Sequence, residues 1–202
     1  MVNLSTDKAV LAELQKKADE LRKAIGTTGD EKFDAAMKNA KPLDAKSVCI
    51  KRVKESEKII VIGLKESGDD SCSFHGAFVD SRFYYSDEKT LSKNVLDALG
   101  WQKAERTQRE KLAKLWVEKG LLAFYTVLYT KDVDFLKDFQ SKSEVTYKGG
   151  QPPKQPEFHP PQVVSNESGE TIVNLWTSVM KTKKEFERHE FRFAADANLL
   201  ND

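Results

Sequence analysis

The sequence predicts an α+β fold: a mainly antiparallel sheet, made of an N-terminal meander and a C-terminal hairpin, packed with about four helices. Three observations carry this. Apolar residues recur at helical spacing near the N-terminus and again over 88–119. β-Branched and aromatic residues concentrate in 47–85 and 163–193. The strand-like runs are separated by short turn signals, not by crossover helices, which favours antiparallel pairing.

Residues 6–25 read as an amphipathic helix. Val10, Leu11, Leu14, Ala18, Leu21 and Ile25 recur at spacings of three and four, Ser5 or Thr6 caps the start, and Gly26 stands where a C-terminal glycine belongs. A shorter helix over 30–40 carries Phe33, Ala36, Met37 and Ala40 on one side and must stop before Pro42. Together, residues 5–40 predict a helical hairpin or arm.

Residues 47–85 predict an antiparallel meander. Val48 and Ile50 alternate with Cys49 and Lys51, and Glu55-Ser56-Glu57 makes a turn. Lys58 to Leu64 is β-branched at almost every position and apolar on both faces, so this strand should be central and covered on both sides. After the turn signal Gly68-Asp69-Asp70-Ser71, residues 72–79 and 82–85 read as further strand, rich in Phe74, Phe78, Phe83, Tyr84 and Tyr85.

Helices return over 88–99, with Leu91, Val95, Leu96 and Leu99 inward, and over 103–119, with Leu112, Leu115 and Trp116 inward. Residues 121–129 are apolar throughout, and their aromatic and β-branched content favours strand over helix. Val133, Leu136 and Phe139 predict a short helix over 131–139. Residues 149–161 hold Pro152, Pro153, Pro156, Pro160 and Pro161, so they form neither helix nor central strand. This segment reads as a stiff proline-rich connection inside a single domain, 1–202, because the residues after it are too few to bury a core alone. Val163-Val164 opens a strand, Glu167-Ser168-Gly169-Glu170 turns, and 171–181 pairs with 185–193 through Thr182-Lys183-Lys184. These last strands are expected to return to the meander's sheet.

Composition excludes several function classes. With 33 Lys+Arg against 32 Asp+Glu, the net charge of +1 argues against a dedicated nucleic-acid binder. A hydrophobic share of 39% is too large for a disordered chain. No apolar run is long enough for membrane insertion. The basic helix 103–119 places Glu105 beside Arg109 and Glu110 beside Lys114 at i,i+4, the pattern of a solvated face. Residues 1–7 lack the basic and apolar regions of a signal peptide. The expected compartment is therefore cytoplasmic, with the mature form of a secreted or periplasmic protein as the alternative. Cys49 and Cys72 read as separate reduced thiols, with a single bridge as the alternative.

No phosphate-binding glycine loop, nucleophile elbow or zinc-protease motif occurs, and the sequence names no reaction. Histidine titrates nearest neutrality, so His75, with Asp80 and Arg82 close by, and His189, with Glu187 on its strand face, are the candidate catalytic residues. On one extended strand Cys72 and His75 point to opposite faces, so their joint use would need a bulge. The sequence assigns no third ligand to either histidine, and zinc needs three or four, so no metal site and no cofactor are expected. Trp101, after a helix stop, and Trp176, in the long hairpin, are the candidate binding residues. The expected function is non-catalytic binding or interaction through an aromatic-rich sheet surface. The partner would be a protein or small ligand, not nucleic acid, and homodimerisation is one hypothesis. The alternative is an enzyme or small-ligand carrier with a pocket between sheet and helices.

Overall fold

A computed structural model describes residues 4–27, 30–39, 43–65, 71–129, 159–178 and 186–200. The class is α+β with antiparallel sheets. The chain divides into two compact units, Met1–Leu99 and Gly100–Asp202. No helix among the described residues is long and apolar enough to cross a membrane.

In the first unit, α1 (Asp7–Ile25) starts where Thr6 Oγ1 accepts a hydrogen bond from the Ala9 N–H at 3.2 Å. It stops at Gly26, whose φ of +63° suits glycine and whose N–H bonds the Arg22 carbonyl. Val10 and Leu14 from its first turns join Leu4, Val48, Ile60, Ile62, Phe78 and Phe83 in one core. The apolar stripe continues beyond this contact, where Leu21 is 44% and Ile25 39% exposed. α2 (Glu31–Lys38) follows, and the Leu43 N–H bonds Gln15 Oε1 at 2.6 Å, tying the returning chain to α1. The proposed end of this helix at 40–42, and the side chains of Phe33, Ala36 and Met37, lie outside the described residues.

The meander is as the sequence predicts: β1 (Val48–Arg52), β2 (Ile59–Lys65), β3 (Cys72–Val79) and β4 (Arg82–Tyr85) pair in the order β1-β2-β3-β4, all antiparallel. β2 is buried from Ile59 to Gly63. Ile60 and Ile62 face the α1 core, and α3 (Leu91–Ala98), whose Leu91, Val95 and Leu96 are buried, contacts β3. The predicted turn at 68–71 lies outside the described residues except for Ser71.

Two features of this sheet were invisible to strand-by-strand periodicity. Ile62 pairs with Gly76, but Gly63 pairs with Phe74, so His75 is the extra residue of a β-bulge. Gly76 beside it is sterically required: a Cβ there would overlap the Tyr84 carbonyl oxygen and come within 2.8 Å of Phe83 Cζ. The second feature corrects the expectation of free thiols. Cys49 and Cys72 are joined in a disulfide, their Cα atoms 6.4 Å apart. Cys49 pairs with Gly63 and Cys72 with Lys65, so alternation puts both cysteines on one face. Gly63 offers no side chain to separate them.

In the second unit, a 3-10 turn at Trp101–Lys103 leads into α4 (Arg106–Trp116), which packs on β6 and β7. The helix ends in a π-helical turn, Val117–Leu121. Gly120 lies so close to the Trp116 ring that a Cβ would overlap it. The strand expected over 121–129 is mostly absent: after the π turn and a further turn, only β5 (Thr126–Val127) pairs. Leu122, Ala123 and Leu128 are buried outside β5, and the Leu128 N–H continues its pairing by one bond to the Trp176 carbonyl at 2.9 Å.

β6 (Gln162–Ser165), β7 (Thr171–Ser178), β8 (Phe186–Phe193) and β9 (Leu199–Leu200) complete a second sheet of order β5-β7-β8-β9, with β6 also on β7. The C-terminal strands thus form a sheet with β5, not with the meander. The turn before β7 is set by Asn166 Oδ1, which accepts from the Glu170 N–H at 2.9 Å and the Ser168 hydroxyl at 2.6 Å. Trp101, Trp116, Val173, Leu175, Trp176 and Phe193 are among its buried residues. The helix expected at 131–139, the proline segment up to 158 and the hairpin turn at 182–184 lie outside the described residues.

Candidate functional site

One end of the meander gathers three pieces of chain. Between β1 and β2, the Ser56 N–H bonds the Val53 carbonyl at 3.0 Å and the Ile59 N–H bonds the Ser56 carbonyl at 3.2 Å, so 53–59 forms a tight double turn. Between β3 and β4, Val79 pairs with Arg82, leaving a two-residue tip. Both tip residues are left-handed, Asp80 at φ +48° and Ser81 at φ +74°: aspartate is a favoured residue at the first position of such a turn, and serine stands at the second, where glycine is preferred. The two turns are tied together: the Asp80 N–H bonds the Lys58 carbonyl at 3.1 Å, and Lys58 Nζ lies 3.2 Å from Asp80 Oδ1. Arg52 brings in the third piece. Its guanidinium donates to the Leu4 carbonyl and to Asp7 Oδ1, each at 2.9 Å.

These pieces surround an open cavity of about 760 Å³. Leu4, Val53 and Ile60 supply its apolar wall, and Arg52, Lys54, Glu57, Lys58 and Asp80 its charged rim. The volume is that of a small-ligand pocket, and by residue its lining is more charged than apolar, with five charged residues against three apolar ones. Of the residues singled out in the sequence, only Asp80 belongs to it. Arg52, Lys54 and Glu57 escaped notice because the sequence shows them only as ordinary turn and strand-end residues.

The other candidates lie elsewhere. His75 is half-buried in its bulge, 5.6 Å from the Tyr85 ring and 6.0 Å from the Phe83 ring. Burial holds its pKa below the ordinary histidine value, with Asp87 opposing. Asp80 stands five residues further along, at the other end of the hairpin, about 16 Å away on an extended strand. Arg82 lies over the Tyr84 ring, 4.8 Å from its centroid. The bulge therefore turns His75 toward aromatic rings, not toward Asp80.

In the second unit, Glu187, His189, Phe191 and Phe193 share a face of β8 by alternation, and burial deepens along it to the fully buried Phe193. His189 Nε2 lies 2.9 Å from Thr177 Oγ1 and 3.7 Å from Glu187 Oε2. Its ring stacks on Phe191, and Tyr125 approaches edge-on. Burial lowers its pKa as well, with Glu187 opposing. Carboxylate and hydroxyl meet the same nitrogen, so the imidazole cannot relay a proton from one side to the other, and Thr177 is fully buried.

Trp101 and Trp176 are both buried. The Trp101 indole donates to the Ala195 carbonyl at 2.9 Å, Arg109 lies over its ring, and Phe193 packs 6.4 Å away. His159 meets the Trp176 ring edge-on. A second, smaller cavity of about 370 Å³ lies beside Arg106 and Arg109. Arg106 donates to the Ser165 carbonyl and Arg109 to the Trp101 carbonyl, so both cations already serve the fold. Among the described residues, no group of three or more His, Cys, Asp or Glu is placed to hold a metal ion.

Compared with protein families, with curated proteins and with solved structures, the chain matches none of them, so the geometry alone carries the functional reading.

Proposed function

We propose that this chain is a non-catalytic binding protein that takes a small ligand in the cavity at the turn end of the meander. The observation that carries this reading is the apolar wall of Leu4, Val53 and Ile60 ringed by Arg52, Lys54, Glu57, Lys58 and Asp80. The left-handed Ser81 on its rim supports it, since strained backbone is concentrated at ligand sites. Enzymatic use of His75 has less support, because Asp80 stands at the far end of the same hairpin. The aromatic-surface reading has less support because Trp101 and Trp176 are core residues.

The test is a titration of isotopically labelled full-length chain with small apolar and amphipathic compounds, read by amide shifts. Shifts clustered at 52–60 and 80–81 are expected. Shifts confined to 100–202, or none with any compound, would overturn the reading.

A second reading, self-association, rests on Val164, which is 55% exposed on the short strand β6. Sedimentation showing only a 22.9 kDa species at high concentration would sink it. The Cys49–Cys72 bridge supports an oxidising compartment, and so a secreted or periplasmic mature form over a cytoplasmic one.

A further inference from the structure

Resting on the cavity reading above, we infer that the ligand is a small zwitterion with an apolar body, simplest as a free dipeptide of apolar residues, its carboxylate at Lys54 and its ammonium at Glu57. The argument is one of charge. Arg52 is already bound to Asp7 and to the Leu4 carbonyl, and Lys58 is already paired with Asp80. Those four charges satisfy one another within the protein. Lys54 and Glu57 also line the cavity, both are exposed, and neither has a hydrogen bond or ion pair to another described residue. Among the described residues, the rim therefore offers one spare cation and one spare anion.

With the paired groups set aside, a ligand carrying only negative charge would meet Glu57 as well as Lys54. One carrying only positive charge would meet Lys54. A ligand with both charges meets a complement at each, while its apolar part covers Leu4, Val53 and Ile60. The cavity, at about 760 Å³, is roomy for a single amino acid and suits two residues better. No bond is made or broken.

The experiment titrates the full-length chain with Leu-Leu, its N-acetyl form, its C-terminal amide and the doubly blocked form, following amide shifts. Free Leu-Leu should shift 52–60 and 80–81. Each single block should weaken binding about two- to fivefold, the value of one exposed charge pair. Lys54→Met should abolish the penalty of amidation alone, and Glu57→Gln that of acetylation alone, which a general loss of structure would not do. Both side chains are exposed, so both variants should retain the fold. Equal binding of all four peptides at the cavity would overturn the zwitterion while leaving the cavity reading standing. Shifts at the cavity with none of these peptides, but with an uncharged apolar compound, would do the same. Failure of every compound to reach 52–60 would remove both.

Discussion

Cys49 and Cys72 are joined across a strand that contains neither of them: β2 runs between their strands, and Gly63 is the residue that leaves the space. The bridge fixes the edge strand β1, and β1 leads directly into Arg52, Val53 and Lys54 of the cavity. Reduction should destabilise the first unit by about 3 kcal/mol, as expected for a loop of this length. Urea denaturation with and without reductant measures this, and mass measurement under both conditions reports the bridge itself. An unchanged midpoint with a confirmed bridge would contradict the expectation.

Gly76→Ala should be among the costliest single-methyl additions in the chain. The new Cβ meets the Tyr84 carbonyl and the Phe83 ring, and neither can withdraw without breaking the ladder or the core. The expected loss is about 2 kcal/mol or more. Gly26→Ala is the matching control: nothing lies within 4 Å, but φ +63° with ψ −143° is close to a backbone region that only glycine adopts readily, so it should lose that backbone penalty alone, about 1–3 kcal/mol. Denaturation midpoints of the two variants decide whether close approach outweighs backbone strain.

Ser81→Gly acts in the opposite direction. Ser81 holds φ +74° at the second position of a two-residue hairpin tip, where glycine is the residue of choice. Relief of that strain should stabilise the fold by about 1 kcal/mol. Thermal unfolding checks the sign. Weaker ligand binding by a stabilised Ser81→Gly would show that the strained tip serves the cavity.

The two half-buried histidines make stability pH-dependent. Burial lowers the folded pKa of both His75 and His189 below the unfolded value of about 6.5. Below that value the unfolded chain binds more protons than the folded one, so stability rises with pH through this window. It should be level above about pH 6.5 and fall as pH drops below it. Urea midpoints at pH 7.5, 6.5 and 5.5 measure the trend. His75→Phe should flatten part of it, because the ring remains and the proton site is gone.

Much of the first unit was legible because it is built from local signals. The α1 stripe with its Thr6 and Gly26 boundaries, the doubly apolar Lys58–Leu64 run and the turn signals between strands each appear within a few residues. The alternation of Glu187, His189, Phe191 and Phe193 was equally readable. The bulge at His75, the disulfide and the separate second sheet were not, because each depends on which strand pairs with which, and in what register. The π turn was missed because the close approach of Gly120 to the Trp116 ring is a contact across one helical turn, not a periodicity. The cavity was missed for a related reason: Arg52, Lys54, Glu57 and Asp80 are unremarkable until two turns are placed side by side. Only Asp80 among the selected residues reached it.

One edge of β7 is shared by β6 and β5, with Ser165 opposite Thr171 and Thr126 opposite Ser178. That arrangement carries a kinetic consequence. In the first unit every strand pairs with its neighbour in sequence, so the loops to be closed are short. In the second, β5 can form only after a long stretch of chain has been looped back, and the entropy of that closure comes before any contact compensates it. Refolding should therefore be limited by the second unit. All three tryptophans lie within it, so tryptophan fluorescence will follow the slower event and amide exchange at β2 and β3 the earlier one.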